Sequence, residues 1–121
     1  MTAETPRRIR VLVADDHPGV LKSVSRLLAL ECDVVGTVMT GTELLEAEER
    51  LTPDVVVLDL SLPGVDSLDA CRQIRERHQQ TRVVVFTAQD TEEARRNARD
   101  AGATAFVSKT QGDDLLSAVQ H

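Results

Sequence analysis

Short apolar runs alternate with amphipathic stretches five times along this chain. The apolar runs are rich in β-branched residues and are too short to be helices, so they predict strands. The run Val55–Leu58 is apolar at every position, which is typical of a strand buried on both faces of a parallel sheet. In chain order, the predicted strands are Ile9–Ala14, Asp33–Val38, Val55–Leu58, Arg82–Phe86 and Thr104–Val107.

The stretches between these strands place apolar residues at helical spacing and open with helix-start signals. In chain order, the predicted starts are Pro18, Thr40 with Glu43 as a capping box, Asp66, Asp90 with Glu93 as a second capping box, and Asp113. The fourth helix, Thr91–Ala101, offers the core only Ala94, Ala98 and Ala101, so we expect it to be weakly anchored. The last helix is expected over Asp113–Val119.

Repeated strand–helix units with short loops predict an α/β fold. We expect a three-layer α/β/α sandwich around a flavodoxin-like, doubly wound sheet of five parallel strands in the order 2-1-3-4-5. Residues 1–121 would form a single domain, with a leader over 1–7 and a core over about 8–120.

The composition narrows the classes of function. The 20 acidic residues outnumber the 14 basic ones and give a net charge of −6, which argues against direct nucleic-acid binding by this domain. No apolar stretch is long enough to span a membrane, and Met1–Arg10 lacks the apolar run of a signal peptide. Cys32 and Cys71 do not form a metal motif, so we expect buried free thiols in a reducing cytoplasm.

Polar residues stand at the carboxyl ends of four predicted strands: Asp15 and Asp16 after the first, then Asp59, Thr87 and Lys109. In the expected strand order the first and third strands are neighbours, so the three carboxylates should meet at the place where α/β sheets bind ligands. Like charges this close repel by several kcal/mol per pair at an effective dielectric of roughly 20, which implies a bound cation. Oxygen-only ligands suit Mg²⁺.

The hydroxyl of Thr87 and the ammonium of Lys109 would then hold an anion beside the metal, and a phosphoryl group is the natural candidate. Asp59 as the nucleophile would give an acyl phosphate. Taken singly, these residues have ordinary explanations, and Asp16 in particular could be a helix cap. We expect His17 to be an exposed residue at a helix start rather than a metal ligand.

Four blocks of the sequence resemble the signature blocks of response-regulator receiver domains of two-component signalling. The blocks are Ala14–His17, Leu58–Gly64, Phe86–Ala88 and Phe106–Lys109, and the resemblance extends from Arg8 to Gln120. The sequence Asp-Asp-His-Pro is most similar to the subclass with a LuxR-type helix-turn-helix output domain. Any such output domain is expected to be absent from this chain, so DNA binding would belong to the missing part.

The resemblance implies that Asp59 accepts a phosphoryl group from a sensor histidine kinase, in a switch that assists its own phosphorylation and dephosphorylation but is not otherwise an enzyme. Asp15, Asp16, Asp59 and the carbonyl of Ser61 would bind Mg²⁺, or Mn²⁺ in its place. Thr87 and Lys109 would hold the phosphoryl oxygens, and Thr87 and Phe106 would form the switch. A homodimer on phosphorylation, a cytoplasmic location and no contact with a membrane are further expectations.

Two positions depart from the family pattern. Ser67 stands where the family usually has glycine, so a left-handed backbone there would cost on the order of 1 kcal/mol or force another turn. Thr110 follows Lys109 where many receivers have a cis proline, which leaves the peptide geometry at Lys109 open.

Two other classes of protein are alternatives. A haloacid-dehalogenase-type phosphohydrolase would place a second acid two residues after the nucleophile, where this chain has Ser61. A flavodoxin-like FMN binder would need a loop rich in Ser, Thr or Gly after the first strand, and Asp15 and Asp16 would repel the phosphate. Both classes fit the sequence poorly.

Overall fold

A parallel five-stranded sheet organises residues 7–121, the part of the chain that this computed structural model describes. The strand order is β2-β1-β3-β4-β5, which confirms the predicted fold class and order. The strands are β1 Arg10–Ala14, β2 Asp33–Val38, β3 Val55–Leu58, β4 Arg82–Thr87 and β5 Ala105–Ser108. The predicted leader lies outside the described residues except for Arg7, whose guanidinium contacts Asp54 at 3.0 Å.

Helices connect successive strands and cover both faces of the sheet. They are α1 Pro18–Ala29, α2 Gly41–Leu51, α3 Ser67–Arg77, α4 Glu92–Asp100 and α5 Leu115–Gln120, with a 3₁₀ segment over Lys109–Asp114 that leads into α5. α1 and α5 pack on one face, where Leu28 and Leu115 are fully buried. α2 and α3 pack on the other face, where Leu44 and Ile74 are fully buried.

The central strand β3 supplies both cores. Val55 and Val57 point into the core under α1 and α5, whereas Val56 and Leu58 point into the core under α2 and α3. Each of these side chains is at most 2% exposed, so each contributes on the order of 1.5–3 kcal/mol by its burial. The strand is therefore buried on both faces, as its uninterrupted apolar run predicts. Its burial also fixes the position of the residue that follows it, Asp59.

The start of α4 differs from the prediction. Thr91, not Asp90, is the cap, because its side chain accepts a hydrogen bond from the N–H of Ala94 at 3.0 Å. Asp90 instead pairs with Arg95 at 2.8 Å. The weak anchorage is confirmed, since Ala98 is the buried residue of this helix.

The last helix also begins later than predicted, at Leu115 instead of Asp113. Residues 109–114 are polar or glycine and have no apolar side chain to hold a helical turn against the sheet. The segment forms a 3₁₀ turn in which the hydroxyl of Ser108 accepts a hydrogen bond from the N–H of Thr110. Leu115, which is fully buried, is the first residue that anchors the helix.

The two departures from the family pattern are accommodated without strain. Ser67 is the first residue of α3, and Thr52 is the one non-glycine residue within 7–121 with a positive φ. The turn before α3 uses Gly64, with φ +87°, for the left-handed position. No cis peptide bond occurs in the described residues, so the bond between Lys109 and Thr110 is trans.

Across the described residues, no helix has the length and apolar character needed to cross a membrane.

Candidate functional site

The site lies at the carboxyl ends of β1, β3, β4 and β5, where the loops begin. The N–H of Asp59 donates to the carbonyl of Ala14 at 3.0 Å, and the N–H of Asp15 donates to the carbonyl of Val38 at 3.0 Å. These bonds extend the sheet by one residue on β1 and on β3. Asp15 and Asp59 are both 2% exposed, so the sheet carries two acidic side chains into a nearly closed space.

Hydrogen-bond donors surround the carboxylate of Asp59. Its Oδ1 accepts from Thr87 Oγ1 at 3.0 Å, and from the backbone N–H and the hydroxyl of Ser61 at 3.3 and 3.2 Å. Its Oδ2 accepts from Lys109 Nζ at 3.1 Å. The structure thus brings Thr87 and Lys109 onto the two oxygens of one buried carboxylate, as the strand-end pattern predicts.

Lys109 has a second partner that the sequence did not reveal. Its Nζ lies 2.8 Å from Asp15 Oδ2, so one ammonium bridges Asp15 and Asp59. Burial lowers the pKa of Lys109, but the hydrogen bonds to Asp15 and Asp59 raise it by more, so the pKa lies above its usual value and the group stays charged. The repulsion between these carboxylates is therefore partly offset within the protein itself.

Asp15 is likewise held in its charged form. Burial raises its pKa, while hydrogen bonds from Lys109 and from the backbone and side chain of His17 lower it by more, so the pKa falls below its ordinary value. Two of these contacts arise locally: Asp15 Oδ1 lies 2.9 Å from the N–H of His17 and 3.0 Å from its Nδ1. The result is an ionised carboxylate in the interior.

Asp16 completes the acidic group and is not a helix cap. The N-cap position of α1 belongs to His17, and no side chain caps that helix end. One ligand atom from each of Asp15, Asp16, His17 and Asp59 lies within 4.8 Å of all the others. Among the described residues, the buried Asp16 Oδ1 has no hydrogen-bond partner, although His17 Nδ1 approaches it to 2.9 Å in an ion-pair geometry.

Ser61 lies at the exposed rim of the site. Its N–H and hydroxyl face Asp59 Oδ1, and its hydroxyl lies 3.5 Å from Gln89 Nε2. The expected role of its carbonyl as a metal ligand stays a prediction.

Ser67 supports the site from beneath, and sequence reasoning did not assign it that role. The Ser67 side chain is 2% exposed, and its hydroxyl donates to the backbone carbonyl of Asp59 at 2.9 Å. The signal that pointed to this position was its departure from the family's glycine, but that signal suggested strain and not a hydrogen bond.

Phe106 is the second residue of β5 and is half-buried. The guanidinium carbon of Arg95 lies 4.6 Å from the centre of its ring, in a cation–π contact. Arg95 is also paired with Asp90, so the weakly anchored α4 is tied to this ring by one side chain. The structure places Phe106 beside α4 rather than among the carboxylates.

An open groove of about 700 Å³ runs beside the acidic group. Val20, Val24 and Leu27 of α1 form its apolar wall, and His17 and Lys109 stand at the end that meets the site. The arrangement as a whole offers a buried nucleophilic carboxylate, a fixed ammonium and hydroxyl beside it, and oxygen ligands for a hard divalent cation.

Comparison with known proteins agrees with this arrangement. The response regulator receiver domain family matches residues 11–120. The nitrate/nitrite response regulator NarL of Escherichia coli K12 is 35% identical over 112 residues, which cover 90% of this chain and 52% of that protein. The chain thus spans about half the length of this curated relative.

Solved structures give the same result. The signal receiver domain of the putative response regulator NarL from Mycobacterium tuberculosis matches with a TM-score of 0.89 and 33% identity, over 95% of each chain. A two-component response regulator of the LuxR family from Aurantimonas sp. SI85-9A1 matches with a TM-score of 0.88 and 31% identity, over 93% of this chain and 83% of that one.

Proposed function

The chain belongs to the response regulator receiver domain family, within the LuxR-type subclass, and we propose that its Asp59 accepts a phosphoryl group. One observation supports Asp59, among the acidic residues of the site, as the phosphoryl acceptor. Of the acidic side chains that meet at the strand ends, Asp59 is the one that accepts hydrogen bonds from both Thr87 and Lys109. A hydroxyl and an ammonium beside a carboxylate suit the oxygens of an incoming phosphoryl group.

In the proposed reaction, a carboxylate oxygen of Asp59 attacks the phosphorus atom of a phosphohistidine on a sensor kinase. A P–O bond forms as the P–N bond breaks, and the departing imidazole nitrogen keeps the electron pair. The product on this chain is an acyl phosphate. Lys109 balances the added negative charge, and the Thr87 hydroxyl turns from Asp59 to a phosphoryl oxygen, so both groups act by positioning and electrostatics.

The acidic group fits the Mg²⁺ that receiver domains use. The donors are carboxylate oxygens, the type that Mg²⁺ prefers, and the buried Asp16 Oδ1 lacks a hydrogen-bond partner among the described residues. Asp15, Asp16, Asp59 and the carbonyl of Ser61 would hold the ion, with Mn²⁺ able to replace it. The bound ion supplies positive charge that neutralises the phosphoryl oxygens during transfer.

The consequence of phosphorylation would be a shift between two conformations. If Thr87 moves toward the phosphoryl group, its hydrogen bond to Asp59 Oδ1 is lost, and space opens for Phe106 to turn inward. The weakly anchored α4, held to Phe106 through Arg95, is the element that would report the change. A homodimer formed through this changed surface is part of the same proposal.

The partners follow from the family and from the groove. We place a helix of a sensor histidine kinase against the apolar wall Val20, Val24 and Leu27. The groove also reaches Lys109, whose ammonium contacts Asp59. A LuxR-type, DNA-binding output domain is proposed for the whole protein, and we propose that the protein acts in the cytoplasm. The receiver itself, with a net charge of −6, would not bind DNA directly.

The test is incubation with acetyl phosphate and Mg²⁺, followed by intact-mass measurement. The wild-type chain should gain the mass of one phosphoryl group, and the gain should require the metal. Asp59→Asn should show no gain, because an amide cannot form the acyl phosphate. Asp100→Asn is the matched control, since this exposed aspartate lies at the end of α4 outside the acidic group.

A mass gain that survives Asp59→Asn, or no gain in the wild-type chain, would overturn the assignment of Asp59. A loss of the gain in Asp100→Asn would show that the mass change reports overall charge or folding and not the proposed site.

A further inference from the structure

His17 points its imidazole into the acidic group rather than away from it. Its Nδ1 lies 3.0 Å from Asp15 Oδ1 and 2.9 Å from Asp16 Oδ1, although 60% of the side chain is exposed. It shares the compact set of ligand atoms formed with Asp59, in which every pair lies within 4.8 Å. The expectation that His17 merely starts a helix therefore leaves its orientation unexplained.

The backbone of His17 is held on both sides. On one side, the N–H of His17 donates to Asp15 Oδ1 at 2.9 Å. On the other, Pro18 begins α1, and the residue before a proline is restricted to extended backbone, which His17 adopts with φ −101° and ψ 110°. These constraints hold the backbone of His17 beside the carboxylates, and the rotamer of the side chain then turns the imidazole toward Asp15 and Asp16.

Lys109 occupies a different part of the acidic group. It contacts Oδ2 of Asp15 and Oδ2 of Asp59, whereas His17 faces Oδ1 of Asp15 and Oδ1 of Asp16. A divalent cation bound by Asp16 Oδ1 would therefore meet the imidazole and not the ammonium. The hydrogen bond to Asp15 puts the ring proton on Nδ1 in the metal-free chain. With an ion bound, the Nε2–H tautomer of the neutral imidazole would instead present a lone pair at Nδ1, which is a good ligand for transition metals and a poor one for Mg²⁺.

We propose that His17 is an additional metal ligand of this receiver, through Nδ1, and that it biases the acidic site toward first-row transition-metal ions over Mg²⁺. The inference rests on the proposed metal site but adds a nitrogen ligand to its oxygen donors. The identity of the bound ion would then depend on the His17 side chain as well as on the concentrations of the competing ions in the cell.

The alternative role for His17 is a simple one: its Nδ1–H donates a hydrogen bond to the carboxylates of Asp15 and Asp16, in the metal-free state only. In that case a bound ion displaces the imidazole into solvent, and removal of His17 leaves the choice between metals unchanged. The two roles therefore predict different effects of removing His17 on the ratio of transition-metal affinity to Mg²⁺ affinity.

The first experiment measures dissociation constants for Ni²⁺ and for Mg²⁺ by titration calorimetry on the full chain. The ratio of Ni²⁺ affinity to Mg²⁺ affinity should fall by at least about tenfold in His17→Asn, because loss of even an outer-sphere partner costs that much at metal sites. Asparagine keeps a polar side chain at the start of α1 but lacks the imidazole lone pair.

The second experiment detects the nitrogen directly. Pulsed electron paramagnetic resonance of the Mn²⁺-loaded wild-type chain should show a directly coordinated ¹⁴N nucleus, and the signal should disappear in His17→Asn. His121→Asn is the matched control for both experiments. His121 follows α5, whose end lies at the amino edge of the sheet, where Val119 contacts Arg82 at the start of β4, so this histidine is remote from the acidic group.

An unchanged affinity ratio in His17→Asn, together with no ¹⁴N coupling in the wild-type chain, would overturn the inference. An equal fall in the ratio for His121→Asn would also do so, because it would reveal nonspecific binding by histidines. Neither result touches the proposed function, which stands or falls on Mg²⁺-dependent phosphorylation of Asp59 in the wild-type chain.

Discussion

The hydrogen bond from Ser67 to Asp59 predicts a measurable loss of stability on a small substitution. Ser67→Ala removes a hydroxyl that donates to the Asp59 carbonyl at 2.9 Å and changes little else, because the side chain is 2% exposed and small. The carbonyl that loses its partner belongs to the residue proposed as the phosphoryl acceptor. The substitution therefore tests how the fold holds that residue in place.

The expected magnitude follows from burial. A buried acceptor left without a partner costs about 1–3 kcal/mol, and alanine regains a little through its better helix propensity at the first position of α3. We expect the free energy of unfolding to fall by about 1–2 kcal/mol. Ser67→Gly introduces the residue that the family usually has here. It should lower the free energy of unfolding by about 0.5–1 kcal/mol more than Ser67→Ala does, because glycine raises the entropy of the unfolded state.

The assay is urea unfolding followed by far-UV circular dichroism. Fluorescence is unsuitable because the chain contains neither Trp nor Tyr. Ser25→Ala is the matched control. Its hydroxyl is also buried, but it has no hydrogen-bond partner among the described residues, so its removal should leave stability unchanged or raise it.

Two results would refute this reasoning. One is an unchanged free energy of unfolding in Ser67→Ala, which would mean that water or another group replaces the hydroxyl at no cost. The other is an equal loss in Ser25→Ala, which would mean that the method reports the size of the deleted group rather than the hydrogen bond.

Two further predictions concern charge. Lys109→Met leaves the buried Asp15 and Asp59 without their shared ammonium. In the absence of divalent ions, the free energy of unfolding should fall by about 3 kcal/mol, and added Mg²⁺ should restore part of it. Thermal melts measure the change, and an unchanged melting point would contradict the bridge. Burial raises the pKa of Cys71 from 9.0 to about 11. The folded state therefore favours the neutral thiol, and its contribution, on the order of 3 kcal/mol, is present below pH 9 and lost as pH rises toward 11. Cys71→Ala should flatten that alkaline decline in urea titrations, and an unaltered slope would contradict it.

The sheet could be predicted because its signal is local. Each strand is a short apolar run bounded by turn residues, and β3, apolar at every position, had to lie between two layers. The strand order then followed from general rules of chain handedness, and the order placed the strand-end residues together. The meeting of Asp59, Thr87 and Lys109 is thus a consequence of topology and not of distance along the chain.

The features that were missed depend on side-chain direction. Thr91 and Asp90 are both good caps by type, and only the backbone of the first turn decided for Thr91. The second partner of Lys109 and the inward orientation of His17 depend on rotamers that no residue pattern encodes. For the same reason, the prediction of a bound cation took no account of the charge that Lys109 brings to Asp15.

The most direct measurement of the central claim is chemical trapping of the phosphorylated residue. The chain is treated with acetyl phosphate and Mg²⁺, reduced with borohydride, which converts an aspartyl phosphate to homoserine, and mapped by peptide mass spectrometry. The account predicts homoserine at position 59 and at no other aspartate, with none formed when Mg²⁺ is removed by a chelator. Homoserine at Asp15 or Asp16, or its absence from Asp59 after a confirmed mass gain, would contradict the account.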